Sequence, residues 1–368
     1  MHQRTIEIEA VDLAGLGTPT IEIAVTEAGV GGRPLLLLHG FTGTRGDFDD
    51  WYDELASLGW HVVGPDHRGH GDSAKPADER AYAVELFAAD ALEVADALGW
   101  DRFVLLGHSM GGMVAQELAA SAPERLDGLV LMDTSYRSIP VDPDLLALGV
   151  ELARTGGMPA VADAVAALGD DGPLVTEADR RLRAERPDWA ARPQPAPCAP
   201  EMYAAMLPAI GGELDTYDRL LAIRTPTLVM VGALDELFVE PSRHMAEVLP
   251  DARLAVLPDG GHSPQVEAPD AWRGALVAFL DEIAAAAPAW SRRRPLPRPR
   301  RRRCGRAGLR WPTRGRCLRP APGACTGVRR PRPARVLVGR GSGRRAGGRG
   351  VGGAAGAAGG GARRSRGR

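Results

Sequence analysis

Cysteine is scarce in this chain and poorly placed for disulfides or metal binding. Only four cysteines occur in 368 residues, and Cys198 alone precedes residue 291. One cysteine in that long segment provides no disulfide framework and no indication of an oxidising compartment. Cys304, Cys317 and Cys325 lack Cys-x-x-Cys spacing and a neighbouring histidine, which argues against a zinc site. We therefore predict no disulfide framework and no zinc site, and the reaction inferred below requires no metal and no other cofactor.

Long apolar runs are also missing. No stretch reaches the 18 apolar residues that indicate a membrane-spanning helix, and the first residues, Met1-His2-Gln3-Arg4, contain no apolar signal core. From these absences we expect a cytoplasmic protein without a membrane partner. The sequence gives no indication of the oligomeric state.

Charge is divided unevenly along the chain, although the formal net charge is only −2. Lys75 is the only lysine, and residues 291–368 contain 25 arginines with no Asp or Glu. All 47 acidic residues therefore precede that segment. The Arg/Gly/Pro-rich tail, residues 289–368, has too few apolar residues to bury a core, and we predict that it is disordered.

Three interpretations of the basic tail are open. Arginine-only basicity without acidic residues is what GC-rich coding sequence read past a frame change would produce, and we favour this interpretation. The alternatives are electrostatic self-association with the acidic remainder of the chain and a nucleic-acid-binding arm, since clustered cations neutralise phosphates. A nucleic-acid partner is accordingly not expected.

The segment Gly107-His108-Ser109-Met110-Gly111 places a serine between two glycines where an apolar run meets a helical run. Phe103 to Leu106 predicts a buried strand, and Met113, Val114 and Leu118 recur at helical spacing. A sharp strand-to-helix turn strains the hinge residue, and the flanking glycines leave room for it. The pattern therefore predicts a nucleophile elbow that exposes the serine hydroxyl.

A serine nucleophile needs a base, and the base needs a group that orients it. His262 follows the apolar run Leu254 to Leu257 and two glycines, so a loop can carry its imidazole to the sheet edge. Asp235 lies just past the run Thr227 to Val231, which predicts another buried strand. We predict that Ser109 is the nucleophile, His262 the general base and Asp235 the orienting acid.

Other acidic residues could compete for the orienting role. Asp133 also ends a predicted strand, Leu129 to Met132, and is the alternative acid. Glu236 and Asp259 are interpreted as solvated loop charges.

The segment from Asp66 to Ser73 contains His67, His70 and Asp72, which could be taken for metal ligands. It lacks the denser His-x-His-x-Asp-His pattern of binuclear zinc hydrolases, so we interpret it as a glycine-bearing turn beside the site. Within it, Asp66 and Arg68 are expected to satisfy loop backbone groups.

Together these motifs resemble the α/β-hydrolase superfamily, specifically its esterase, lactonase and non-haem perhydrolase branch. The resemblance covers about residues 20 to 285, and Ser109, Asp235 and His262 follow the chain order of that fold's triad. Ser109 stands where dehalogenases and epoxide hydrolases of this fold carry aspartate, which points to acyl transfer. The motifs are His39-Gly40-Phe41, Asp66-His67-Arg68-Gly69-His70-Gly71-Asp72-Ser73, Gly107-His108-Ser109-Met110-Gly111-Gly112, Gly232-Ala233-Leu234-Asp235 and Gly261-His262.

The resemblance implies an oxyanion hole made by two backbone N–H groups. Met110 supplies one, directly after the nucleophile, and Phe41 supplies the other from the loop after the third strand. Four further side chains are predicted to line the substrate pocket, although helical spacing makes core packing equally plausible for the last three. These four are His39, Met202, Tyr203 and Met206.

The order of elements predicts an α/β-hydrolase fold, in which helices flank a mostly parallel central sheet and a helical cap is inserted. Ile6 to Glu9 and Ile21 to Val25 open the sheet as antiparallel strands, and βαβ repeats follow. Between Asp133 and Pro226 the pattern turns helical, with stretches at Leu145 to Thr155 and Pro159 to Leu168. We predict a core in residues 1–133 and 226–288, a cap in 134–225 and the tail in 289–368.

These inferences predict hydrolysis of a small carboxylic ester or lactone, with this small molecule as the only expected partner. An enol-lactone is suggested by the resemblance alone. Perhydrolysis and C–C bond hydrolysis on the same triad are alternative chemistries. A catalytically weak ligand receptor on the same fold is the alternative of another class.

Overall fold

The computed structural model describes residues 1–10, 20–172, 174–193, 195–213 and 215–286. Its strands are β1 (His2–Glu9), β2 (Thr20–Ala28), β3 (Arg33–Leu38), β4 (Trp60–Pro65), β5 (Phe103–His108), β6 (Leu126–Met132), β7 (Thr227–Gly232) and β8 (Ala252–Leu257). They form one sheet in the order β1-β2-β4-β3-β5-β6-β7-β8. The predicted tail lies outside the described residues.

Helices connect these strands. They are α1 (Tyr52–Ser57), α2 (Val84–Ala97), α3 (Met110–Ser121), α4 (Pro143–Leu168), α5 (Glu177–Glu185), α6 (Pro187–Ala190), α7 (Pro200–Pro208), α8 (Tyr217–Leu220), α9 (Glu236–Val248), α10 (Pro264–Glu267) and α11 (Pro269–Ala286). None of the described helices is long and apolar enough to span a membrane.

The sheet is antiparallel at one edge and parallel elsewhere. β1 pairs with β2, and β2 with β4, in antiparallel fashion, whereas the pairs from β4 through β8 are parallel. On β1 only the alternating Ile6 and Ile8 are buried, as expected for a strand with one solvated face. β5 and β7 are buried at every position, as expected for strands that are covered on both faces. The predicted α/β-hydrolase architecture is therefore confirmed.

One hydrophobic core lies on the face of the parallel strands that α11 and the segment around α1 cover. Leu35 and Leu37 of β3 join Tyr52 of α1 and Trp272 of α11 in one buried cluster. Because parallel strands end at the same edge, this packing fixes the loops that follow β3, β5, β6 and β7 beside one another.

Between β6 and β7 the chain leaves the sheet and forms α4 to α8. α4 contains the two predicted helical stretches, which meet at Gly157, where φ is +65° and the backbone is not helical. Pro159 follows directly in the second stretch, where it has no N–H to extend the helical hydrogen bonding. The division into core and cap stays a prediction.

α9 starts at Glu236, so Pro241 lies in the interior of the helix. Asp235 occupies the N-cap position without making a side-chain cap bond. Its carboxylate is engaged elsewhere.

Candidate active site

Ser109 forms the turn between β5 and α3. Its φ of +53° and ψ of −118° lie in a region that non-glycine residues rarely adopt. The neighbouring glycines permit this turn, since a Cβ atom on Gly107 would lie 2.2 Å from the carbonyl oxygen of Gly111. The predicted strand-turn-helix context of the nucleophile is therefore present.

The side chains predicted as a triad are connected by hydrogen bonds. The Nε2 of His262 lies 3.1 Å from the Oγ of Ser109, and its Nδ1 lies 2.8 Å from the Oδ2 of Asp235. In the neutral tautomer that fits, Nδ1–H donates to Asp235 and Nε2 accepts the serine hydroxyl. Ser109 and Asp235 are both buried, so little water competes for these bonds.

The charge state of His262 depends on two opposing effects. Burial lowers the pKa of His262, whereas the Asp235 carboxylate raises it through charge and hydrogen bonding, and Glu267 adds a smaller increase. The pKa of His262 is consequently raised above its ordinary value of 6.5. An imidazole in this setting can accept the serine proton and hold it beside Asp235.

Glu267 holds the loop that carries His262. Its Oε2 accepts hydrogen bonds from the backbone N–H groups of Gly261, at 2.7 Å, and Ser263, at 3.0 Å. Burial raises the pKa of Glu267, against the opposing effect of these two bonds. One carboxyl oxygen thus fixes the backbone on both sides of His262.

The loop after β3 approaches the serine closely. A Cβ atom on Gly40 would lie 3.1 Å from the Cβ of Ser109, and Phe41 follows at once in the chain. Met110 is the first residue of α3, so its N–H lacks an acceptor in the preceding turn. Phe41 and Met110 are thus on the two segments that flank Ser109, and their role as oxyanion donors stays a prediction.

The surroundings of His39 differ from its predicted place in the substrate pocket. Its Nδ1 lies 2.8 Å from the carbonyl oxygen of Gly40, and its Nε2 accepts the backbone N–H of His67 at 3.0 Å. The side chain is fully buried, and burial, with the nearby His67, holds its pKa well below the ordinary range. The His39 ring therefore connects the loop after β3, in which it lies, to the loop after β4 through the hydrogen bond from His67.

The three predicted pocket residues of the insertion have unequal positions. Tyr203 is half-buried, and its ring centroid lies 5.0 Å from that of Phe41. Met202 is fully buried and packs against Gly69, while Met206 is also fully buried. Tyr203 thus lies against the loop that follows β3.

The side chains of the alternative metal site do not converge. The Nε2 of His67 points toward the carbonyl oxygen of His39, and the Nδ1 of His70 lies near the carbonyl oxygen of Arg68. Asp72 is exposed and pairs with Arg45. In the described part of the chain, no group of three or more His, Cys, Asp or Glu side chains is arranged to hold a metal ion.

Asp66 and Arg68 have different partners. Asp66 accepts the backbone N–H groups of Arg45 and Asp72, as expected. Arg68 instead makes a buried ion pair with Asp90 and reaches a single backbone carbonyl.

A family model described as the alpha/beta hydrolase fold matches residues 33–269. The chain belongs to the α/β-hydrolase superfamily. Among solved structures, this hydrolase is similar to a thermophilic esterase from Thermogutta terrifontis, with 30% identity, a TM-score of 0.64 and coverage of 76% of this chain and 99% of the esterase. It is also similar to the enol-lactonase from Burkholderia xenovorans LB400, with 27% identity, a TM-score of 0.61 and coverage of 74% and 99%.

Among curated relatives, "Putative carbamate hydrolase RutD" of Caulobacter sp. (strain K31) is 31% identical to this hydrolase over 257 residues. The match covers 69% of this chain and 92% of that relative. The similarity therefore extends over nearly the full length of a relative whose name refers to a bond other than a carboxylic ester.

Two residues of this hydrolase site went unrecognised in the sequence. Glu267 stands five positions after His262. This short spacing could have indicated that its carboxylate binds the backbone N–H groups on either side of His262. His108 precedes the serine, and its Nε2 lies 2.6 Å from the carbonyl oxygen of His262. Burial lowers the pKa of His108 to about 3, so its neutral ring donates Nε2–H and ties the elbow to the base loop.

Proposed function

We propose that this hydrolase cleaves a small carboxylic ester or lactone through an acyl-enzyme on Ser109. The observation that carries the proposal is the continuous hydrogen-bonded chain from Asp235 through His262 to Ser109. The strained backbone of Ser109 presents its hydroxyl at the end of β5. Similarity to an esterase and an enol-lactonase supports the substrate class.

The proposed reaction has two halves. Ser109 Oγ attacks the carbonyl carbon while the Nε2 of His262 takes the serine proton, and the N–H groups of Phe41 and Met110 stabilise the oxyanion. Collapse of the tetrahedral intermediate breaks the C–O bond, and the leaving alkoxide receives the proton from His262. Water then repeats the sequence, which releases the acid and restores Ser109. With a lactone, the alcohol stays attached to the acyl group.

Carbamate hydrolysis is the second candidate, favoured by the relative named as a carbamate hydrolase. A carbamate carbonyl would meet the same nucleophile and oxyanion donors, and the leaving group would determine the difference in rate. Perhydrolysis, C–C bond hydrolysis and ligand reception remain the other predicted alternatives.

Fluorophosphonate labelling followed by intact-protein mass measurement tests the nucleophile. We expect one adduct on the parent chain and none on Ser109→Ala, because only an activated serine displaces fluoride from phosphorus. Ser57→Ala, an exposed serine on α1, is the matched control and should label like the parent. Equal labelling of the parent and Ser109→Ala would contradict the proposal.

Substrate turnover tests the reaction class. Initial rates on p-nitrophenyl acetate, a simple enol-lactone and an aryl carbamate should rank the ester or lactone first. Faster carbamate cleavage would favour the second candidate instead. Labelling without multiple turnovers on any of them would favour the receptor alternative.

A further inference from the structure

Asp133 is a second buried carboxyl group beside the proposed orienting acid, and the proposed reaction leaves it without a role. It directly follows β6, and its side chain is fully buried. Its φ of +43° is costly for a non-glycine residue, so the surrounding structure must hold it there. The position is therefore strongly determined by its neighbours.

The two oxygens of Asp133 have unequal surroundings. Oδ1 accepts the backbone N–H of Gly232 at 2.8 Å, at the end of β7. Oδ2 is buried without a conventional donor within reach in the described part of the chain. Gly232 also begins the turn that carries Asp235, whose N–H donates to the carbonyl oxygen of Gly232 at 3.1 Å, and the Asp235 side chain acts on the Asp133 carboxyl. Two carboxyl groups can share a hydrogen bond only if one of them carries a proton.

The surroundings of Asp133 favour its neutral form. Burial raises its pKa well above the ordinary range, and the charge of Asp235 raises it further, whereas the Gly232 amide opposes this effect. Glu267 is the other charged group that acts on it, and it also favours the neutral form. Asp235 instead accepts the Nδ1–H of His262.

We propose that Asp133 is a positioning residue, a neutral carboxylic acid whose Oδ2–H donates to Asp235 and holds that carboxylate against His262. This inference rests on the proposed function, because it assigns Asp235 the orienting role. It opposes the sequence-based alternative in which Asp133 is itself the ionised acid. The two assignments make opposite predictions for an isosteric amide.

Infrared spectroscopy detects the proton without any substrate. At about pH 8.5, above the ordinary range of carboxyl titration, the C=O stretch of a protonated carboxyl should appear in the parent and disappear in Asp133→Asn. Asp251→Asn makes the same change at an exposed position and should keep the band. Identical spectra for the parent and Asp133→Asn would overturn the inference.

Kinetics of two variants test the positioning. Asp133→Asn should keep kcat within about 3-fold, since its amide still accepts from Gly232 and donates to Asp235. Asp133→Ala removes the donor and should lower kcat about 10- to 100-fold, with KM within about 3-fold, because Asp235 and His262 lose alignment. If Asp133→Asn instead lowers kcat by about 10⁴-fold, as expected for loss of the orienting acid itself, the inference is overturned.

If Asp133→Ala does not fold, the infrared band and the activity of Asp133→Asn still test whether Asp133 is a neutral positioning residue. If Asp133→Ala folds and its kcat is unchanged, the inference is also overturned. Turnover by the parent without the infrared band would remove this inference alone. Absence of both labelling and turnover in the parent would remove the proposed function and, with it, the positioning role.

Discussion

The sheet and the insertion between β6 and β7 bury their apolar residues to very different extents. β4, β5 and β7 are buried at every position, whereas α4 buries only Ala153 and Val161 among its 26 residues. Leu145 and Leu148 of α4 are about half exposed, at 47% and 51%. Ser109 and Asp235 of the proposed triad follow the buried strands β5 and β7, His262 follows the edge strand β8, and Tyr203 comes from the insertion. Changes in the two regions should therefore affect turnover and substrate selection differently.

The largest expected effect is on the sheet side. Asp235→Asn should lower kcat by about 10⁴-fold, because an amide at this position favours the wrong tautomer of His262. The fold should persist, so the thermal midpoint should change little. Asp259→Asn, a nearby exposed loop residue, is the control and should keep full activity. Comparable losses in both variants would show that the loops, and not the triad, limit the rate.

Stability provides a second test of the contrast. Leu37→Ala, at a fully buried position of β3, should lower the free energy of unfolding by about 2–5 kcal/mol. Leu148→Ala should lower it by less than about 0.5 kcal/mol, because its side chain is already half in solvent. Urea denaturation measures both. Equal destabilisation would mean that the insertion contributes to the core as much as the sheet does.

Substrate selection should respond to the insertion. Tyr203→Ala removes the ring beside Phe41 and should lower kcat/KM for an ester with a bulky apolar acyl group by about 10-fold. The rate of fluorophosphonate labelling should stay within about 3-fold, because the triad is untouched. Tyr203→Phe retains the ring and should behave like the parent. A large loss of labelling in Tyr203→Ala would instead place this residue among the groups that activate Ser109.

The smallest expected effect is on pH dependence. His262 must be neutral to accept the serine proton, and the nearby Glu267 raises its pKa. Glu267→Gln removes a negative charge, so the imidazolium loses stabilisation and the pKa of His262 falls. The acid limb of kcat/KM should shift to lower pH by less than about one unit. Glu236→Gln, an exposed position, should shift it less, and a shift of Glu267→Gln to higher pH would contradict the assignment.

Sequence reasoning succeeded where a side chain is tied to the end of a strand. Continuous apolar runs predicted β5, β7 and β8, and Ser109, Asp235 and His262 each follow one of them in a short loop. Because parallel strands end at one edge, locating the strands was enough to bring these residues together. Exposure of Glu236 and Asp259 also agrees with their interpretation as solvated charges.

The remaining features depend on contacts between distant parts of the chain. His39 reads as a pocket residue until its two ring nitrogens are seen to bind Gly40 and His67. Asp133 reads as a competing acid, and its neutral state follows only from burial beside Asp235. None of these contacts has a period or spacing in the sequence.

The close packing of the elbow has a consequence for engineering the enzyme. A Cβ atom on Gly107 would collide with Gly111, and one on Gly111 would lie 2.5 Å from the carbonyl oxygen of Leu38. Mutant libraries that randomise these glycines should consist mainly of unfolded proteins. A library restricted to residue 109 would retain the scaffold and vary only the side chain proposed as the nucleophile. The turn between β5 and α3 is thus tightly packed at its glycines and open to substitution at residue 109. New reactivity can be selected there without redesigning the sheet.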